Sequence, residues 1–398
     1  MEFFQNYKEL APDAIFGISE RFRQDKSSSK HNLSMGIYYD EEGEFFSMPV
    51  VTEVAKRYVN ENFSTAYQSI GGYRPFLKSL LYLLVGDESI EKSEKRVAMI
   101  QTIGGTSALR TGADFLLRGG IKQIYVSDPT WANHRAIFEE AGLEVGTYPY
   151  AEPTTMSVDY GRLKNFVVGL KEGSALLLHA CCHNPTGLDL NKKEWEELLI
   201  LLRKKKCICF FDMAYLGFAH GVYEDSFPLR FLTENNIDFM LAFSCSKTFT
   251  LYGERVGALM INTGSEQEKQ AVESHIKQIA RRTYSNPPRF GAHLVHTILS
   301  TESLRKQWEE ELSTIRKRIE QTKVYLVEKL KNVGSQALIN SLKESFGFFT
   351  LLGLSPSQVE NLYKQGIYLT GSSRINLAAL NSGNIDHFIS CFCKAIQD

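Results

Sequence analysis

The sequence predicts an α/β protein built on a mostly parallel sheet covered by helices on both faces. Two observations carry that expectation. Apolar runs of strand length recur at 97–103, 123–127, 144–148, 175–180, 207–212 and 239–244, and helical patterns fill most of the intervals between them. Such alternation is what strand–helix–strand crossovers produce, and crossovers place helices on both faces of a parallel sheet. The second observation is that polar residues follow four of these runs: Asp128-Pro-Thr-Trp131, His183-Asn-Pro-Thr-Gly187, Asp212-Met-Ala-Tyr215 and Ser244-Cys-Ser-Lys247. In an open sheet of this kind ligands bind beyond the carboxyl ends of the strands, so the four segments mark one candidate site.

Composition limits what the site can be. The chain has 398 residues, 43% hydrophobic and 12% aromatic, enough for two or three domains with a sizeable core. Its 45 basic and 46 acidic residues leave a formal charge of −1, which points to neither nucleic acid nor membrane. The cysteines read as reduced core thiols. In Cys207-Ile-Cys209 and Cys391-Phe-Cys393 a single residue intervenes, not the two of a zinc knuckle or redox pair, so no metal site is expected. The N-terminus lacks a basic region followed by an apolar stretch, and no apolar run reaches about 18 residues. A cytoplasmic protein is expected.

Taken in order, residues 24–30 read as a linker and 32–43 as a strand running into a turn. Gly36 interrupts that strand and marks either a bulge or a close approach of backbone to a ligand. Residues 48–64 read as a helix, and Ala66 to Pro75 as a glycine-containing loop with Tyr67 at its start. Gly104-Gly105-Thr106 leads from the strand at 97–103 straight into a helical pattern. Free amides at such a helix start bind phosphate, making Gly105 and Thr106 anion-binding candidates; packing alone is the alternative. The Gly-x-Gly-x-x-Gly pattern of a dinucleotide site is absent. Asp212 closes an apolar run, so its carboxylate needs a charged partner, and a protonated pyridine nitrogen is one. Tyr215 is then within reach of the ring's phenolic oxygen. The alternatives are a helix cap for Asp212 and plain core for Trp131.

The segment Leu241 to Ala258 organises the rest. A buried strand breaks into small polar residues around Lys247, and Arg255 follows inside a Gly-x-x-x-Gly frame. A lysine desolvated at the mouth of an apolar strand loses its proton readily and can form a Schiff base with an aldehyde. Ser244 and Arg255 can hold a phosphate, arginine through its bidentate fork. A lysine flanked by phosphate ligands suggests pyridoxal 5'-phosphate; a surface lysine at a strand end is the alternative.

These motifs resemble the aspartate and aromatic aminotransferase family of fold-type I pyridoxal-phosphate enzymes. The likeness runs from Ala11-Pro-Asp13 and Asn32-Leu-Ser-Met-Gly36 through the four strand-end segments to Tyr284-Ser-Asn-Pro-Pro288 and Ser373-Arg-Ile-Asn-Leu377. It implies that Lys247 carries the cofactor and moves the substrate proton, and that Asp212 pairs with the pyridinium nitrogen. Tyr215 and Asn184 would contact the phenolic oxygen, Trp131 would stack on the ring, and Gly105, Thr106, Ser244 and Arg255 would hold the phosphate. Tyr67 would reach that phosphate from the other subunit of a homodimer. Arg374 would clamp the substrate α-carboxylate, helped by Gly36, Trp131 and Asn184, and Arg281 would reach across the dimer to a side-chain carboxylate. The bonds before Pro129 and Pro185 would be cis.

The resemblance also implies a large domain over 46–310 and a small α+β domain made of both chain ends, 1–45 with 311–398, joined by a long helix from about Thr301 to Asn332. Aromatics of residues 340–350 would line the lid of that small domain. Gly104, Thr248, Thr250 and Tyr39 depart from the family pattern without removing a catalytic group, and Arg282 beside Arg281 leaves open which of the two faces the pocket. The implied reaction is ping-pong amino transfer between aspartate and 2-oxoglutarate. Thr106 and Asn286 match aspartate-specific members, while a slot lined by Ile15, Ile18 and Ile37 would admit aromatic amino acids. The alternatives are an aminotransferase preferring aromatic substrates, a β-eliminating or decarboxylating relative, a non-catalytic cofactor-binding regulator and a dinucleotide oxidoreductase. The paired arginines oppose the second, and the lack of an added domain or basic stretch opposes the third.

Overall fold

The computed structural model describes residues 3–10, 16–61 and 64–397. Its centre is a seven-stranded sheet of β1 Val97–Ile103, β2 Gln123–Asp128, β3 Glu144–Pro149, β4 Ala175–His179, β5 Ile208–Met213, β6 Phe239–Ser244 and β7 Val256–Asn262, in the order β1-β7-β6-β5-β4-β2-β3. The five strands β2 to β6 are parallel, and β7 runs antiparallel between β1 and β6. The sequence reading did not assign β7. No crossover helix precedes it, because the eleven residues from Cys245 to Arg255 return the chain directly to the same end of the sheet.

Alternating side chains of each strand enter different cores, as the twofold period of a strand requires. Leu176, Leu178, Phe211, Leu241 and Phe243 face one hydrophobic layer, closed by helices that include Lys192–Lys204 and Glu302–Leu330. Leu177, Phe210, Met240 and Ala242 face the other, which Gly104–Arg118, Asn133–Glu140 and Glu266–Thr283 cover. Both faces are therefore dry, and the strand ends are where polar groups can collect.

The chain ends fold together into a smaller α+β domain. His31–Asn32 pairs in parallel with Ile367–Tyr368, and β8 Phe349–Leu351 pairs antiparallel with β9 Arg374–Asn376. The 29-residue helix Glu302–Leu330 links this region to the large sheet. Among its residues, Arg318 donates to the carbonyl oxygens of Leu380 and Ala378 at 3.1 Å each, and to that of Tyr39. Of the strand and turn expected over 32–43, the strand is corrected. Only His31–Asn32 and an isolated Tyr39–Phe45 bridge are laddered. The backbone between spends its carbonyls on side chains: Asn376 Nδ2 donates to Met35 O and to Ile37 O, each at 2.6 Å, and Arg374 Nη2 donates to Ser34 O at 2.6 Å. No helix among the described residues is long and apolar enough to cross a membrane, and all seven cysteines are free.

Candidate active site

A cavity of about 700 Å³ opens at the carboxyl ends of the parallel strands and takes in parts of both domains. Lys247 enters it from the β6–β7 connection, with its Nζ 5.2 Å from the centre of the Tyr215 ring. Burial lowers the amine to about 8; Asp212 pulls the other way, and the charges of Arg255 and Arg374 add to the fall. Only the neutral amine attacks an aldehyde. In the apoenzyme, the rate of pyridoxal-phosphate capture should therefore rise with pH and level off above about 8, as stopped-flow absorbance would record. A rate still climbing beyond pH 10 would show an ordinary, solvated lysine.

Asp212 lies on β5 at the cavity floor, beside His179 on β4 in the sheet register. Burial works to raise its carboxyl, but the hydrogen bond from His134 and the nearby charge of Lys247 prevail and hold it below the usual carboxylate range. His134 Nε2 donates to Asp212 Oδ2 at 2.9 Å, which leaves Nδ1 to accept from Thr130 Oγ1 at 2.8 Å. Burial and the adjacent His134 lower His179 to about 3, so it stays neutral against the cavity.

At the other side, the Gly104-Gly105 turn opens the helix Gly104–Arg118 against Ser244 and Arg255. A Cβ on Gly105 would come within 3.0 Å of the Ser244 Cβ. Gly104 has φ +82°, and a Cβ there would lie 2.5 Å from Arg255 Nη2, which gives a physical reason for glycine at that position. Ser244 Oγ donates to Ser246 Oγ at 3.1 Å, and Arg255 Nη1 reaches Ser246 Oγ at 3.4 Å. Helix amides, two hydroxyls and a guanidinium thus converge on one end of the cavity.

Arg374, on β9, closes the opposite end. Its Nη1 donates to Asn184 Oδ1 at 2.9 Å, its Nη2 to Ser34 O, and its guanidinium lies 4.0 Å from the centre of the Phe349 ring. Among the described residues its buried Nε has no hydrogen-bond partner, and burial lowers the group to about 10. Gly36 is glycine because a Cβ would stand 2.8 Å from Phe349 Cζ and 3.4 Å from Tyr215 Oη.

The cavity also gathers Thr106, Trp131 and Ile37. Both Asp128–Pro129 and Asn184–Pro185 are cis. Tyr67 and Arg281 stay outside: Tyr67 is 93% exposed, and Arg281 turns its Nη1 to Ser285 Oγ on the surface. Arg282 is exposed as well. Ile18 is buried elsewhere, and Ile15 and the Ala11–Asp13 motif lie outside the described residues. The sequence reading missed His134, His179, Ser246 and Tyr252. Ser246 sits in the Ser-x-Ser-Lys motif and was findable there, whereas His134, four residues after Thr130, carries no local signal that tells it from core. Tyr252 shows only through its fold contact, its Oη accepting from the Tyr38 N–H at 3.1 Å.

A reactive lysine, a buried ionised carboxylate and an anion cradle, at the strand ends of a sheet wound in this way, define a fold-type I pyridoxal-phosphate enzyme. The lining has the chemistry that such a cofactor needs: an anion cradle, a buried carboxylate and a lysine of lowered pKa. The chain belongs to the aminotransferase class I and II family, whose sequence model matches residues 28–392. It is 39% identical to the aspartate aminotransferase of Pseudomonas aeruginosa over 381 residues, 95% of this chain and 96% of that one. It is 37% identical over 392 residues to the tyrosine aminotransferase of Klebsiella pneumoniae, 98% and 99% of the two chains. The crystal structure of the aromatic-amino-acid aminotransferase of Burkholderia pseudomallei, covalently bound to pyridoxal phosphate, superposes with a TM-score of 0.95 at 36% identity, covering 99% of this chain and 100% of that one.

Proposed function

We propose that this aminotransferase moves the α-amino group between aspartate and a 2-oxo acid such as 2-oxoglutarate, with aromatic amino acids as slower substrates. The observation that carries the amino-acid reading is Arg374. A buried guanidinium whose Nε is unpartnered favours a ligand that brings a carboxylate. When bound, pyridoxal phosphate supplies the electron sink that stabilises negative charge at the substrate α-carbon. The chain's residues do the rest. Arg374 binds the α-carboxylate with Asn184, Trp131 and the Gly36 backbone beside it. Lys247, near neutral pH a partly deprotonated amine, takes and returns the proton of the α-carbon. Asp212, held ionised by His134, would keep the pyridine nitrogen protonated, and Tyr215 and Asn184 would donate to the phenolic oxygen. Trp131 would lie against the ring, while Gly105, Thr106, Ser244 and Arg255 would hold the phosphate.

Two groups complete the site from a second copy. The exposure of Tyr67 and Arg281 in a single chain supports a homodimer in which the partner subunit's Tyr67 reaches the phosphate and the partner subunit's Arg281 meets the distal carboxylate of a dicarboxylic substrate. In this reading 46–310 forms the cofactor-binding domain, and 1–45 with 311–398 forms the domain that carries Arg374. Aromatic side chains would use the apolar wall of Met35, Ile37 and Leu109. The test is kcat/KM for aspartate against phenylalanine in the native enzyme and in Arg281→Leu. Aspartate should be preferred, and the substitution should cut that preference by about 10- to 100-fold, the worth of one charge-assisted hydrogen bond. A native preference for phenylalanine, or an unchanged ratio, would remove Arg281 from the site and make Arg282 the candidate.

A further inference from the structure

Asp189 follows the turn that carries Asn184, and two consecutive amides of that turn run into its carboxylate. Oδ2 accepts from the Cys182 N–H at 2.7 Å, and Oδ1 from the His183 N–H at 2.9 Å. The turn needs an anchor at this point, because Cys182 sits at φ +51°, in the left-handed region that a residue with a side chain enters only under constraint. The other side of the turn is tied separately. The His183 ring is bonded to Ser127 Oγ at 2.9 Å and to Thr186 Oγ1 at 2.8 Å, and the Gly187 N–H donates to the His183 carbonyl at 2.6 Å. Asn184, at the crest, accepts from Arg374 Nη1 at 2.9 Å.

Burial raises the Asp189 carboxyl, the two amides resist, and the charge of Asp225 adds to the rise. Asp189 is half-buried, and among the described residues its carboxylate has no cationic partner, an arrangement costly to keep for stability alone. We infer that Asp189 is a positioning residue for the reaction: by clamping the Cys182 and His183 amides it holds Asn184 where that side chain aims Arg374 at a substrate carboxylate. The inference rests on the roles given above to Asn184 and Arg374. An asparagine at this position could accept one of the two N–H groups but would turn its own NH2 against the other.

The test compares Asp189→Asn, Asn184→Ala and the double variant as holoenzymes. The readouts are steady-state kinetics with aspartate and the Kd of succinate, a four-carbon dicarboxylate that cannot react, by calorimetry. Asp189→Asn should raise KM and the succinate Kd by about 10- to 100-fold, with kcat changed far less. Its effect should largely vanish on the Asn184→Ala background, because residues acting through one contact are not additive. Asp189→Glu, which keeps both acceptor oxygens, should recover part of the affinity. If Asn184→Ala raises KM and Asp189→Asn does not, or if the two effects simply add, Asp189 has no positioning role. If Asn184→Ala leaves both KM and Kd unchanged, the assignment of Asn184 as a substrate ligand fails and this inference falls with it. Should Asp189→Asn not fold, Asp189→Ser takes its place: a raised Kd that is non-additive with Asn184→Ala supports the role, and a native Kd or a purely additive effect overturns it.

Discussion

Lys247→Ala should lower kcat for aspartate by on the order of 10⁴-fold or more, because the variant loses the attachment point of the cofactor and the base that moves the α-proton together. The structure separates this loss from unfolding. Lys247 makes no contact that closes a core, whereas its neighbours do: Thr248 Oγ1 donates to Leu216 O at 3.1 Å, and the Trp308 indole donates to Thr248 O at 2.8 Å while stacking on Phe249. The loop should therefore keep its shape, and near-ultraviolet circular dichroism should be unchanged while turnover disappears. Single-turnover absorbance with aspartate would measure the loss. A decline of less than about tenfold would mean that another group moves the proton.

Arg374→Leu should cost about 10²- to 10⁴-fold in kcat/KM, the consequence of leaving a substrate carboxylate in a buried site without its charged partner. The loss should be shared by aspartate and phenylalanine, since both carry the α-carboxylate, and this sets it apart from Arg281→Leu, which acts on the dicarboxylate alone. Arg374→Lys should fall between the two, because a lysine keeps the charge but cannot reproduce the fork that spans Asn184 Oδ1 and Ser34 O. Steady-state kinetics with both amino acids decide it; equal values for Arg374→Leu and the native enzyme would exclude Arg374 from substrate binding.

What could be read in the sequence, and what could not, divides along a physical line. The parallel strands were legible because the central ones are buried on both faces and helices separate them in sequence, so hydrophobic runs and helical patterns alternate. β7 was not, because it returns antiparallel without a crossover and its register with β1 and β6 depends on a loop of irregular backbone. The segment 32–43 looked like a strand running into a turn by composition, yet Asn376 and Arg374, more than three hundred residues away, take its carbonyls. Long-range side-chain donors of that kind leave no local signal. Within the site, Lys247 and Asp212 stood out because charged residues at the ends of apolar runs need an explanation, whereas Arg374 was found through resemblance. His134 and His179 did not stand out, since a histidine in a packed helix or at a strand end is compatible with plain core until its distance to Asp212 is known. Tyr67 and Arg281 were found through resemblance alone; in one chain both point to solvent.

The central claim is that Lys247 is the residue to which the cofactor is bound, and borohydride reduction of the holoenzyme followed by proteolysis and mass mapping addresses it most directly. The account predicts a pyridoxyl mass on the peptide containing Lys247, and none on the corresponding peptide of Lys247→Ala. Label on any other lysine, or cofactor-loaded protein that carries no reducible label at all, would contradict it.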